Sequence, residues 1–210
     1  MNFINLLLQN PLHFIVVAGI LLYSIIAHEL AHGWVALWCG DDTARSSGRL
    51  TLNPVNHLDP IGTLMLFVVG FGWAKPVPVN YANLRNSRFG LIAVALAGCV
   101  TNILIAMFAL LVIRIPAVNA DPGFSSALSF VARINIILGG FNLIPVPPLD
   151  GSKVLMGVLP RDMQITLSRF EPFGFFVLIA LLVTGLLNPV IIFMQNTIYG
   201  LINFIFGMFG

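Results

Sequence analysis

Charge is scarce in this sequence. Eighteen of its 210 residues are Asp, Glu, Lys or Arg, or 9%, where a soluble domain carries about a quarter. The net charge of +2 excludes a basic face for nucleic acid, so no nucleic-acid partner is expected. Cysteine is nearly absent too. Cys39 and Cys99 lie far apart in no ligand spacing, which excludes a disulfide framework. Glutamate occurs only at Glu29 and Glu171, and histidine at four positions. What fills the chain is apolar: 58% hydrophobic residues and a mean hydropathy of +0.96. That excludes a soluble globular domain and a disordered chain. A single integral-membrane domain over residues 1–210 is expected, with a lipid bilayer as its surroundings.

A spanning helix needs about 20 mostly apolar residues. The first candidate runs over about 11–39, with Pro11 suited to a first turn and Gly40 to an end. It lacks the basic n-region of a signal peptide and is too long for one. The second runs over about 88–113 and the third over about 124–141. The block from Phe173 to Phe209 is too long for one span. Asn188-Pro189 divides it into a fourth helix over about 172–187 and a fifth over about 189–207. The expected class is an all-α polytopic membrane protein of about five transmembrane helices.

Between the first two spans the texture changes. Gly48 to Pro54 alternates like a short strand, and Ile61 to Phe71 is apolar but too short to cross. Trp73 to Tyr81 alternates at Val77, Val79 and Tyr81, with two prolines that restrict a strand to an edge. This region reads as a small membrane-associated β-hairpin with a re-entrant loop. Arg45, Arg49, Lys75, Arg85, Arg88, Lys153, Arg161 and Arg169 all fall on one side of the five-span arrangement. The positive-inside rule makes that side cytoplasmic, with the N-terminus outside and the C-terminus inside.

The first span contains His28-Glu29-Leu30-Ala31-His32. Residues i and i+4 share a helix face, so both imidazoles can reach one ion. Glu29 stands beside them, placed to take a proton from water at the metal. It lies about 10 residues from the helix end, roughly 15 Å deep, too far to snorkel. A hydrolytic zinc takes three protein ligands and keeps one open position. Asp150 is the best third ligand, in Asn142-Leu143-Ile144-Pro145-Val146-Pro147-Pro148-Leu149-Asp150-Gly151. The prolines hold this segment extended, and Gly151 permits a turn after the carboxylate. Its alternative role is a cap on a helix starting near Ser152. Glu171 and Asp59 compete as the third ligand. One Zn2+ per chain is expected.

These motifs resemble the site-2 protease family of intramembrane zinc metalloproteases, and more narrowly its short bacterial members without an appended regulatory domain. The H-E-L-A-H, G-R-L-T-L-N-P and N-x-x-P-x-P-P-L-D-G segments fit in order and spacing over about residues 19–160. The resemblance implies zinc on His28, His32 and Asp150, Glu29 as general base, and cleavage of a transmembrane segment near the cytoplasmic face. A bacterial cytoplasmic membrane is expected with it, and regulated intramembrane proteolysis is the expected setting, with clearance of signal-peptide remnants and membrane quality control left open. An edge strand around Val77 and Val79 would hold the unwound substrate. Asn142 would support the transition state or substrate backbone, against a plain helix-end role. His57 is a candidate gating or secondary ligand, against a solvated loop histidine. Asn102 reads as an interhelical hydrogen-bonding residue. The rivals are a membrane zinc transporter and a catalytically inactive homologue. Clustering of the polar residues in the cytoplasmic half argues against the first, and an intact Glu29 against the second.

Overall fold

The structure, a computed structural model, describes residues 8–9, 11–69 and 74–209. Five of its helices are long and apolar enough to cross a membrane, which makes the chain an integral membrane protein. The first, α1 (Pro11–Trp38), has 28 residues. It stops in a Schellman motif: the Asp41 N–H donates to Ala36 O at 2.9 Å and the Gly40 N–H to Leu37 O at 3.1 Å. Gly40 has φ +108°, a conformation that favours glycine. A one-turn helix α2 (Thr43–Ser46) and a ten-residue helix α3 (Pro60–Val69) follow. The second span is α4 (Ser87–Ile113), capped by the Asn86 side chain. After the short α5 (Pro116–Asn119), the third span α6 (Pro122–Asn142) starts on Asp121, whose carboxylate accepts from the Gly123 and Phe124 N–H groups. A Pro-rich connection leads to α7 (Asp150–Val158), then to the last spans α8 (Arg161–Val183) and α9 (Asn188–Phe209).

Packing follows from small residues facing large ones. Ala106 and Ala109 of α4, Ala132 and Ile136 of α6, and Ile198, Ile202 and Phe206 of α9 form one core. Ala36 of α1, Val94 of α4 and Leu84, which follows the 3-10 turn before α4, form another, with Val79 packed on it. Ile144 and Leu149 of the Pro-rich connection pack on Leu178 of α8 and on Leu187. The first three spans are the inner bundle: 28%, 33% and 28% of their apolar windows are buried, against 11% and 17% for α8 and α9.

The expected β-hairpin is corrected. Among the described residues there are no strands, only an isolated antiparallel bridge between Leu58 and Ala74. Pro54–Asn56 and Tyr81–Asn83 are 3-10 turns, and Trp73 lies outside the described residues. The reason lies in the prolines. Pro76 and Pro78 have no N–H, so of three successive residues only Val77 can donate, and a ladder cannot propagate. The fourth span is also corrected: α8 begins at Arg161, eleven residues before the expected start, and carries Pro172 inside it. Its charged first half, with Arg161, Asp162, Arg169 and Glu171, lacks the apolar run that marks a span. The break expected at Asn188-Pro189 is the start of α9, with Gly185 at φ +73° in the preceding turn.

Candidate metal centre

His28 and His32 are one turn apart on α1 and are both buried. The Nδ1–H of His28 donates to Asn102 Oδ1 of α4 at 2.6 Å. The Nδ1–H of His32 donates to Val94 O of α4, also at 2.6 Å. A carbonyl oxygen can only accept, so each ring carries its proton on Nδ1 and turns its Nε2 lone pair inward. The two Nε2 atoms are 3.0 Å apart. Asp150 Oδ2 lies 3.0 Å from His28 Nε2 and 3.2 Å from His32 Nε2. These three side chains are a group able to hold a metal ion, with their ligand atoms within 4.8 Å of one another. Ligands about 2.0–2.1 Å from a tetrahedral zinc stand roughly 3.3 Å apart, close to what is observed. Two imidazole nitrogens, each on a ring hydrogen-bonded from behind, and a carboxylate suit zinc in kind as well as in spacing.

Asp150 reaches this point because α7 begins there. It is the first residue of α7, and no side-chain bond caps that helix. The connection before it is coiled rather than extended: Val146 N–H donates to Ile144 O and Leu149 N–H to Val146 O. Gly151 does not supply a left-handed turn. A Cβ there would lie 2.2 Å from Leu143 O, so glycine is required by the backbone folded over it. On the opposite wall, a Cβ on Gly98 would lie 2.4 Å from the His28 ring. The buried Cys99 thiol is 3.8 Å from Asp150 Oδ2.

Glu29 lies beside the trio on α1, and its Oε2 accepts from the Val77 N–H at 2.8 Å. Val77 is buried against Gly33, one turn after Glu29. Val79 packs near Ala36 and Val94. The segment is held further on by Asp41, a fully buried carboxylate that accepts from the Asn80 N–H at 2.7 Å, the Asn83 amide at 2.9 Å and the Thr43 hydroxyl.

Two other expected site residues are engaged elsewhere. The Asn142 amide donates back to Leu138 O of its own helix at 3.0 Å. His57 is fully buried, and its Nε2–H donates to Thr51 O at 2.8 Å while its carbonyl accepts from the Lys75 N–H. Neither belongs to the metal-holding group. Tyr81, expected in a strand or as an interface anchor, lies among the site's charges. Partial burial and the carboxylates of Asp150, Glu171 and Glu29 push its phenol up to about 12. Lys153, paired with Glu171, stands 5.5 Å over its ring. The sequence also gave no role to Asn135 of α6, which is fully buried and donates from its amide to Ser24 Oγ of α1. A lone amide in the middle of an apolar span was the available signal.

The Peptidase family M50 model matches residues 112–185, the part of the chain that carries Asp150. The chain is 40% identical over 173 residues to the Bacillus subtilis protein named "Putative zinc metalloprotease YwhC", covering 79% of each. The chain belongs to peptidase family M50, the site-2 protease family. A Mycolicibacterium smegmatis relative, "Putative zinc metalloprotease Rip2", is 31% identical over 83% of this chain and 68% of its own length. "Zinc metalloprotease MJ0392" of Methanocaldococcus jannaschii is 24% identical over 74% of this chain and 38% of its own. No solved structure matches the chain.

Proposed function

We propose that this chain is an intramembrane zinc metalloprotease, which hydrolyses peptide bonds within transmembrane segments of membrane proteins near the cytoplasmic face. In this reading His28, His32 and Asp150 hold one Zn2+ and Glu29 is the general base. The observation that carries it is the convergence of His28 Nε2, His32 Nε2 and Asp150 Oδ2 beside Glu29, in a chain of the M50 family. Zinc, when bound, supplies Lewis acidity that polarises the scissile carbonyl and acidifies water. Glu29 takes the proton of the attacking water and returns it to the leaving amine. The Val77 N–H holds that carboxylate in place through Oε2. His28 and His32 lie 6 to 10 residues before Trp38, the last residue of α1, roughly 9 to 15 Å along its axis. Trp38 is 74% exposed, as befits a ring at the membrane interface.

In this reading that end of α1 is cytoplasmic and the N-terminus outside, which the basic loops support through the positive-inside rule, and the membrane is a bacterial cytoplasmic membrane, which the bacterial relatives support. A substrate helix hides its carbonyls in its own hydrogen bonds and unwinds locally before attack, with Val77 and Val79 lining its path and Asn142 at the far end of α6. Regulated intramembrane proteolysis is the biological setting that suits such an enzyme. The experiment is metal analysis and cleavage of a transmembrane substrate by purified protein. Glu29→Gln should keep one zinc per chain and lose cleavage. A His28→Ala, His32→Ala double variant that retains full zinc would overturn the ligand assignment.

A further inference from the structure

The His28 ring is backed by more than Asn102. Asn102 Nδ2 donates to Asn135 Oδ1 at 2.7 Å, and to Ser24 O at the longer distance of 3.4 Å. Asn135 Nδ2 donates to Val131 O, four residues earlier in α6, at 2.9 Å, and to Ser24 Oγ at 2.9 Å. Asn102 and Asn135 are both fully buried. Each amide of this kind has two faces, and only one orientation fits a given partner.

The backbone carbonyl of Val131 can only accept. It therefore fixes the Nδ2 side of Asn135 towards α6 and the Oδ1 side towards Asn102. Facing that oxygen, Asn102 must present its Nδ2, which turns its own Oδ1 to His28. Facing an oxygen, His28 must carry its proton on Nδ1, which leaves Nε2 bare. A flip at any link would set donor against donor or acceptor against acceptor in a dry interior, where an unmatched group is costly.

We infer that Asn135 is a positioning residue that sets the tautomer of His28 through Asn102, so that α6 decides which imidazole nitrogen is open to the metal. Asn135 touches neither substrate nor metal. Without it, Asn102 is oriented only by the long contact to Ser24 O and can flip to its other face. His28 then carries its proton on Nε2 and cannot serve as a ligand there. This inference rests on the reading of His28 as a zinc ligand.

A double-mutant cycle in the full-length detergent-solubilised protein tests it, with zinc affinity read by competition against a chromophoric chelator. Asn135→Leu should weaken zinc by about 10- to 100-fold, the usual effect of losing a partner behind a metal ligand. Asn102→Asp makes the orientation irrelevant, since both carboxylate oxygens accept from His28 Nδ1. In that background Asn135→Leu should cost nothing, and Asn102→Asp, Asn135→Leu should bind at least as tightly as Asn102→Asp alone. An equal loss in both backgrounds would show that Asn135 acts only by packing, and no loss in the wild-type background would also overturn the inference. Asn135→Met, of similar size, carries the same test if the leucine variant aggregates. The tautomer itself is read in zinc-free protein by 15N NMR of the histidine rings at alkaline pH. Wild type should show His28 protonated on Nδ1, and Asn135→Leu should move that population towards Nε2. Wild type that binds no zinc, yet shows the Nδ1 tautomer lost in the variant, would sink the metalloprotease reading and leave the relay standing.

Discussion

At the scale of single residues, the centre is defined as much by what is missing as by what is present. Gly98 offers its flank to the His28 ring, and a methyl group there would occupy the ring's own volume, 2.4 Å from it. Gly98→Ala should therefore displace His28 and weaken zinc at least tenfold by chelator competition. Gly19→Ala, in the same kind of apolar helix but with nothing within 4 Å of its Cβ, should leave zinc unchanged. Equal behaviour of the two would mean that the His28 contact does not matter. Val77→Pro removes the N–H that donates to Glu29 Oε2 while leaving the candidate ligands alone. A hydrogen bond to a charged group contributes about 1.5–3 kcal/mol, so cleavage should fall by roughly 10- to 100-fold with zinc content intact. The ligand and base candidates were legible in the sequence because HExxH fixes three of them on one helical turn. Asn135 was not, because an amide in a span can face any of several neighbours, and its partner Ser24 is 111 positions away.

At the scale of elements, the segment after α1 shows why a turn region can be ordered without a sheet. Its anchor is Asp41. Burial alone would raise this carboxyl, but the bonds from Thr43, Asn83 and Asn80 outweigh burial and hold it below the usual carboxylate range. A group whose value is depressed on folding stabilises the fold above its unfolded value, about 3.9, and loses that contribution as pH falls through the folded value. Asp41→Ala should cost about 1–3 kcal/mol at pH 7, seen as a lower thermal midpoint in detergent. The gap to wild type should narrow below about pH 4. A gap that stays constant down to pH 3 would show that the charge is not what ties the segment down. Gly174 is the matching point on α8, where a Cβ would lie 2.4 Å from Pro147. Gly174→Val should push α8 away from the connection that delivers Asp150 and lower zinc affinity, with α1 unaffected. The number of spans was readable from apolar length, with Asn188-Pro189 dividing the last block in two. The strand was misread because alternation of Val77, Val79 and Tyr81 says nothing of donors, and two prolines remove them. The start of α8 was not legible because its first half, with Arg161, Asp162, Arg169 and Glu171, carries no apolar run.

At the scale of the whole molecule, the inner three spans and α7 make the centre, and α8 and α9 lean on it. The candidate ligand atoms come from α1 and α7, and the groups behind the histidines from α4 and α6. The proposed orientation puts the α1–α4 connection in the cytoplasm and the α4–α6 connection outside. In a background with Cys39 and Cys99 replaced, a cysteine at the exposed Ser47 should react with an impermeant maleimide only from the cytoplasmic side. One at the exposed Asn119 should react only from outside. The reverse pattern would invert the arrangement, and with it the face at which substrates are cut.

The spacing of the trio also dictates an order of events during synthesis. His28 and His32 leave the ribosome early, but Asp150 follows His28 by 122 positions (150 − 28). At translation speeds of about 5–20 residues per second that is a wait of roughly 6 to 24 s. Through this interval the nascent chain offers two imidazoles and no carboxylate from α7, so it cannot form the three-ligand site. Capacity for the ion thus arrives only once three spans are made and the chain has returned across the bilayer. On the proposed ligand set, metal loading doubles as a report that the inner bundle has been assembled, and a chain stalled before Asp150 lacks the third candidate ligand.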